Sequence, residues 1–214
     1  MEIQDWGLID YEVALAKQQA LVEQVISQRS DMSSSGFLIF CRHSPIVTKG
    51  RKTQASDIFA WQGPVVEVNR GGRATYHGPG QIVIYPILDL EKMRPPRDVV
   101  DLLRRLESVA VETLSHFGVQ ARGKTQKTSK DLEDTGVWVG NKKIASLGIA
   151  IRQWVSFHGM AINLQKDPLA FQGMNPCGYK SSVMTSLEEI LTTSPNPAEF
   201  QVQFLKIFQK TISL

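Results

Sequence analysis

Seven consecutive residues, Ile82-Val83-Ile84-Tyr85-Pro86-Ile87-Leu88, are apolar or aromatic. The run is too short for the roughly 18 residues of a membrane span and has the length of an interior strand. Whatever this chain folds into must bury that strand in a core. Pro86 has no N–H to give a ladder, so it is expected at a bulge or an edge. The rest of the chain can supply the core: it has 214 residues, 42% hydrophobic and 21% charged. A domain of this size buries about 70% of its unfolded surface and needs no disulfide or metal staple. Residues 1–214 are therefore read as one domain.

Composition also excludes some function classes. Twenty-four Lys and Arg against 21 Asp and Glu leave a net charge of +3, too weak a bias to argue for nucleic acid. No apolar stretch suggests a membrane, and Met1-Glu2-Ile3-Gln4-Asp5 lacks the basic region and apolar core of a signal peptide. Cys41 and Cys177 are the two cysteines, too few for a disulfide framework. A cytoplasmic chain with reduced thiols is expected.

Periodicity places the elements around this strand. Asp10 is suited to cap a helix running to about Arg29, with Tyr11, Leu15, Val22 and Val25 on one face. Ser33-Ser34-Ser35-Gly36 reads as a turn, and Phe37-Leu38-Ile39-Phe40 and Val65-Val66-Glu67-Val68 read as strands. From Arg97-Asp98, Val99, Leu102, Leu106, Val109, Thr113 and Phe117 recur at helical spacing, and Gly118 is a natural residue just past a helix end. A polar loop from about Arg122 to Thr135 follows. Val137 to Val139 and Lys143 to Ile151 form a hairpin around Gly140-Asn141, Trp154 to Leu164 is another strand or strand pair, and Pro197 to Ile212 is an amphipathic helix. Strands in the middle and helices at the flanks predict an α+β fold, a mixed β-sheet packed with helices, on one side in the simplest arrangement.

One motif is a decoy. Gly118 to Thr125 matches the phosphate-loop pattern G-x-x-x-x-G-K-[ST]. That chemistry needs a strand before the loop and a helix after it. Here a helix precedes it, so Gly118 is read as a helix-end glycine followed by a basic surface loop.

Three segments concentrate residues that packing alone does not need. Arg70-Gly71-Gly72-Arg73-Ala74-Thr75-Tyr76-His77-Gly78-Pro79-Gly80-Gln81 puts four glycines, a proline, a histidine and two arginines between two strands. Glycine lets backbone approach a ligand closely, so the segment reads as a binding loop, with an elaborate turn as the alternative. In Gly140-Asn141-Lys142-Lys143-Ile144-Ala145-Ser146-Leu147-Gly148-Ile149, an inward-facing Lys143 would have its pKa lowered by desolvation and could act as a base. From the residues alone the surface-lysine reading is preferred, because lysines are rarely buried. In Gly173-Met174-Asn175-Pro176-Cys177-Gly178-Tyr179, a cysteine between Pro and Gly sits on a turn, where a nucleophile can be reached. His77, His158 and Cys177 together could form a Cys-His-His zinc site, although no H-E-x-x-H or C-x-x-C supports it.

With Gly136-Val137-Trp138-Val139 and His158-Gly159-Met160-Ala161-Ile162-Asn163, these segments resemble, in order, the lipoyl (octanoyl) transferases. His43, Pro45 and Gly50-Arg51 resemble a looser upstream block. That family moves an octanoyl group from acyl carrier protein to the lysine of a lipoyl domain. The resemblance implies the fold of the catalytic domains of biotin and lipoate protein ligases. It implies that Cys177 is the nucleophile, forming a thioester, and that Lys143 lowers the thiol pKa and shuttles the proton. Arg70, Gly71, Gly72, Arg73, Ala74, Thr75, Tyr76 and His77 would line the acyl site, with Ser146, Leu147, Gly148, Gly159, Met160 and Ala161. His158, Gly78 and Asn163 would support it.

The resemblance also implies partners: octanoyl-acyl carrier protein as donor, and as acceptors the lipoyl domains of 2-oxo acid dehydrogenases and the glycine cleavage H protein. No ATP, no metal, no nucleic acid and no membrane is expected, and a monomer is expected. Acyl carrier proteins are typically acidic, so Arg42, Lys49, Arg51 and Lys52, or Arg122, Lys124, Lys127 and Lys130, are candidate docking clusters. Oxyanion donors are expected among the N–H groups of Cys177-Gly178 or near Gly78. The sequence departs from the pattern at Lys180-Ser181-Ser182, which is more polar than the family's run, and matches it loosely at Cys41-Arg42. The rival readings are an ATP-dependent lipoate ligase of the same fold, a zinc hydrolase, and a silent binding module for lipoyl domains or acyl carrier.

Overall fold

The computed structural model describes residues 1–31, 36–123, 135–193 and 195–212. Its elements are β1 (Glu2–Ile9), α1 (Tyr11–Ser27), β2 (Phe37–His43), β3 (Ile46–Lys49), β4 (Val65–Glu67), β5 (Thr75–His77), β6 (Gln81–Ile87), α2 (Val99–His116), β7 (Gly136–Val139), β8 (Lys142–Arg152), β9 (Val155–Asn163), α3 (Leu187–Leu191) and α4 (Pro197–Thr211). The main sheet has the order β1-β2-β6-β9-β8-β7. Its β1–β2 pair is parallel, joined through α1, and the other pairs are antiparallel. A small sheet, β4-β3-β5, stands beside it.

The apolar runs explain this layering. On β2 and β6 every second side chain, Leu38, Phe40, Ile82 and Ile84, packs with Leu102, Leu106, Phe200 and Phe204 of α2 and α4. The alternate set, Phe37, Ile39, Cys41, Val83, Tyr85 and Ile87, packs with Val22 and Val25 of α1. Strands that are apolar on both faces need cover on both. The helices therefore lie on two sides of the sheet, not on one as in the simplest arrangement read from the sequence.

Local signals set most ends. The Asp10 carboxylate accepts from the N–H groups of Glu12 and Val13, and Asp98 caps α2 through the N–H of Asp101. Gly118 has φ 78°. Beside it the N–H of Val119 donates to the Leu114 carbonyl at 3.0 Å, and that of Gly118 to Ser115 at 2.9 Å. This is a helix-ending turn that favours glycine, so the phosphate-loop reading fails at its first residue. Lys124 and Thr125 lie outside the described residues, as do Ser33 to Ser35 and Lys127 and Lys130. Pro86 behaves as expected: the β6–β9 ladder ends at Ile84–Met160, and the Ser156 hydroxyl donates to the Pro86 carbonyl at 2.7 Å.

Four elements were not read from the sequence: β1, β3, β5 and α3. β5 corrects the loop reading of residues 70–81, because Thr75, Tyr76 and His77 are buried strand residues paired with β3. The glycine-rich segment is thus a short loop, a strand and a tight turn, with fixed directions for each side chain.

Candidate active site

Cys177 lies in a 3-10 turn, Pro176–Gly178, with φ 55° and ψ 21°. For a residue other than glycine that left-handed backbone costs about 1–3 kcal/mol and persists only where the surroundings impose it. Here the N–H of Cys177 donates to the Ala74 carbonyl at 2.8 Å, which ties the turn to the segment just before β5. The N–H of Gly178 donates to Asn175 at 3.1 Å, and that of Asn175 to Asp57 at 2.8 Å. Gly178 has φ 83°, a left-handed backbone that favours glycine, and a Cβ there would sit 2.3 Å from the guanidinium of Arg73. Arg73 is itself held by the buried carboxylate of Asp57 and by Gln54. The outcome is a half-buried thiol whose Sγ lies 3.8 Å from the Ser146 hydroxyl on β8.

Lys143, the second residue of β8, is 1% exposed, which overturns the surface reading made from the residues alone. Its Nζ donates to the Thr135 carbonyl at 3.1 Å. It lies 5.5 Å from the ring centre of Trp138 and 5.6 Å from that of Tyr179, a cation held against two aromatic faces. Gly136 leaves the room, as a Cβ there would be 2.5 Å from Lys143 Cε. Tyr179 is two residues beyond Cys177, so the lysine packs against the segment that follows the Cys177 turn, and its hydrogen bond goes to the Thr135 carbonyl.

One cavity opens at Cys177. From the glycine-rich segment it is lined by Arg70, Gly72, Arg73, Thr75 and His77. β8 contributes Ser146, Leu147 and Gly148, and β9 contributes His158, Gly159, Met160 and Ala161. The centre of a water-sized sphere can move through about 30 Å3 of it, so the cavity is narrow. Tyr11, Val83 and Tyr85 complete the walls and were not foreseen. Val83 and Tyr85 could have been found, because they alternate on one face of β6. Tyr11 carries only the weak signal of following a helix cap.

The structure sets other residues apart. Gly71 lies one layer back, its N–H donating to the Ile149 carbonyl at 3.1 Å. Ala74 contributes its carbonyl to the Cys177 turn. Tyr76 and Asn163 line a second, larger groove with Gln81 and residues of 165–171 and 181–189, and the Tyr76 hydroxyl donates to Asp167 at 2.6 Å. Gly78 belongs to that region too, with the Tyr76 hydroxyl 2.2 Å from where its Cβ would be. Of the expected oxyanion donors, the N–H groups of Cys177 and Gly178 are already engaged by carbonyls.

Arg70 supplies a buried positive charge. It is 6% exposed and donates to the carbonyls of Gly71, Arg73 and Thr48 and to the Thr48 hydroxyl at 2.7–3.2 Å. Burial lowers its pKa, and Tyr11 and Cys177 act against that. Burial also holds His77 and His158 neutral. It depresses His158 to about 3 and His77 well below the usual imidazole range. It raises Tyr11 to about 12 and Tyr85 well above the usual phenol range. Behind the wall His43 shares a 2.7 Å hydrogen bond with the Tyr85 hydroxyl. His77, His158 and Cys177 line one cavity, yet among the described residues no group of three or more His, Cys, Asp or Glu is placed to hold a metal ion. No described helix is long and apolar enough to cross a membrane.

Comparison with known proteins joins the fold to the site. Residues 10–209 match the family model described as the lipoyl protein ligase A/B catalytic domain. A curated relative named octanoyltransferase, from Bdellovibrio bacteriovorus, is 49% identical over 206 residues, 92% of each chain. Among solved structures, lipoate-protein ligase A bound with ATP superposes with a TM-score of 0.71 at 17% identity, over 99% of this chain and 85% of that one. The bi-partite lipoate protein ligase of Thermoplasma acidophilum, studied with its E2 lipoyl domain, gives 0.69 at 17% identity, over 98% and 82%. The two structures share the fold, whereas the relative is close in sequence as well: the chain belongs to the lipoyl protein ligase A/B catalytic-domain family and is an octanoyltransferase.

Proposed function

We propose that this octanoyltransferase carries the acyl group as a thioester on Cys177, takes it from octanoyl-acyl carrier protein and passes it to a lipoyl-domain lysine. The observation that carries this reading is the placement of Cys177. Its thiol lines a cavity, on a turn in left-handed backbone, with a buried lysine packed against Tyr179 two residues on and a buried arginine in the cavity wall.

The Cys177 thiolate attacks the donor carbonyl, a C–S bond forms, and the donor C–S bond breaks, the carrier sulfur leaving as a thiol with a proton from Lys143, which is then free to act as a base. One thioester replaces another, so the step is near thermoneutral and needs no ATP. The acceptor amine then attacks the Cys177 thioester, an amide forms and the Cys177 sulfur leaves. The amine must lose a proton, and Lys143 is the base assigned to take it. The Ser146 hydroxyl, 3.8 Å from Sγ, is the donor assigned to the oxyanion, since the neighbouring backbone N–H groups are spent. A lipoyl-domain acceptor fits the Thermoplasma acidophilum ligase being studied with such a domain.

Intact mass after mixing with octanoyl-acyl carrier protein, without ATP, tests the reading. A hydroxylamine-labile octanoyl adduct is expected on the wild type and not on Cys177→Ser. An adduct that forms only with ATP and free octanoate would overturn it in favour of ligase chemistry.

A further inference from the structure

We infer that His158 closes the inner end of the acyl cavity and sets the longest chain the enzyme accepts. This rests on the reading of Cys177 as the acyl carrier. The ruler is the β8–β9 pair, whose rungs run Ser146–Ala161, Leu147–Met160, Gly148–Gly159 and Ile149–His158. The acyl carbon starts at the first rung, because Cys177 Sγ lies 3.8 Å from the Ser146 hydroxyl. The fourth rung is three residues on, about 10 Å at the rise of a strand. An extended eight-carbon acyl group spans seven C–C bonds, about 9 Å at about 1.25 Å of advance per bond. Its last carbon therefore arrives at His158.

The floor under that path is narrow and small. Ala161 packs with the α1-side cluster, while Leu147, Met160 and Ile149 pack with the α2–α4 side. Strict alternation would send position 158 to the α2–α4 side as well, beside its rung partner Ile149. Instead His158 has φ 56°, and its N–H donates to Gln18 Oε1 of α1 at 2.8 Å. The kink brings the imidazole into the cavity wall, where the Phe157 ring packs 4.8 Å from it.

The residue is 2% exposed, and its Nδ1 is buried with no hydrogen-bond partner. Carbons up to the eighth add apolar contact, worth about a four-fold gain in affinity each. A ninth or tenth carbon has to press on a wedged ring and lay hydrocarbon against an unpaired nitrogen, which reverses the gain. The wall is thus a polar stop as well as a steric one.

Acylation rates with acyl carrier proteins bearing 6 to 14 carbons, read by intact mass, test the inference on the wild type and on His158→Gly, which keeps the left-handed backbone at little cost. In the wild type the rate is expected to fall at least ten-fold between 8 and 12 carbons. In His158→Gly the 12-to-8 ratio is expected to rise at least ten-fold. Equal ratios in two proteins that both form the adduct overturn His158 as the stop. A wild type that forms no Cys177 adduct at any length overturns the acyl-enzyme reading itself, a distinguishable failure.

Should His158→Gly not fold, wild type derivatised at Cys177 with n-alkyl methanethiosulfonates of 5 to 11 carbons gives a second reading. The added sulfur stands where the acyl carbonyl carbon would be. The melting temperature is expected to rise up to about seven carbons and then level or fall. A rise that continues through eleven carbons overturns the inference.

Discussion

Lys143 reaches the site by being buried. A lysine between two aromatic rings, bonded to one carbonyl, is held in one place and screened from bulk water. Lys143→Met keeps the length and apolar stem, so the protein is expected to fold with little loss of melting temperature. The rate of octanoyl transfer is expected to drop about 10²-fold or more in a single-turnover assay. A drop of less than three-fold would remove Lys143 from the proton path. The two proposed catalytic side chains differ in how readable they were. Cys177 announced itself because Pro and Gly on either side allow little except a turn. Lys143 did not, because its burial comes from Trp138, one hairpin away, and from Tyr179, thirty-six residues on, and no local pattern encodes either contact. Tyr11 was hidden for the same reason.

Among the elements, the contact between β6 and β9 is the least forgiving. A Cβ at Gly159 would lie 2.0 Å from the Ile84 carbonyl oxygen and 2.8 Å from Pro86 Cδ, both parts of a strand that cannot swing aside. Gly159→Ala is expected to cost about 1–3 kcal/mol, measured by urea denaturation, through overpacking. It should also slow acylation, since β9 forms part of the cavity wall. Long apolar strands and capped helices were legible because their signals are local and repeated, as in α2 with Asp98 before it and Gly118 after it. β1 was not legible. Its sequence, Glu2-Ile3-Gln4-Asp5-Trp6-Gly7-Leu8-Ile9, is polar at an edge and becomes a strand only by pairing in parallel with β2. β5 was missed because three residues inside a glycine-rich segment carry no period of two.

The whole molecule carries a pH signature. Burial lowers the pKa of His43, His77 and His158, whereas in the unfolded chain each titrates near about 6.5. The folded state therefore binds fewer protons than the unfolded one below that value. Stability is expected to be full above about pH 6.5 and to fall as the pH drops, by up to about 1.4 kcal/mol per pH unit for each histidine. Denaturation between pH 7.5 and 5 measures this, and His43→Gln should reduce the histidine part of the slope by about a third. Charge on the outer surface belongs at this scale too. The backbone N–H groups of Arg51 and Lys52 donate to the carbonyls of Arg70 and Gly72, which fixes two exposed basic residues beside the cavity wall. Arg51→Glu is expected to lower kcat/KM for carrier-borne octanoate several-fold at low salt and to leave a small octanoyl thioester unaffected.

The confined cavity has a further consequence, for fidelity. An acylated cysteine is a high-energy ester in 55 M water, and any solvent molecule that reaches it aborts the transfer and turns the enzyme into a thioesterase. A narrow chamber filled by its cargo leaves little room for a competing nucleophile, so the acyl chain acts as its own stopper. On the proposed acyl-enzyme, retention of the octanoyl group until an amine arrives is then a property of volume, decided before any catalytic group acts.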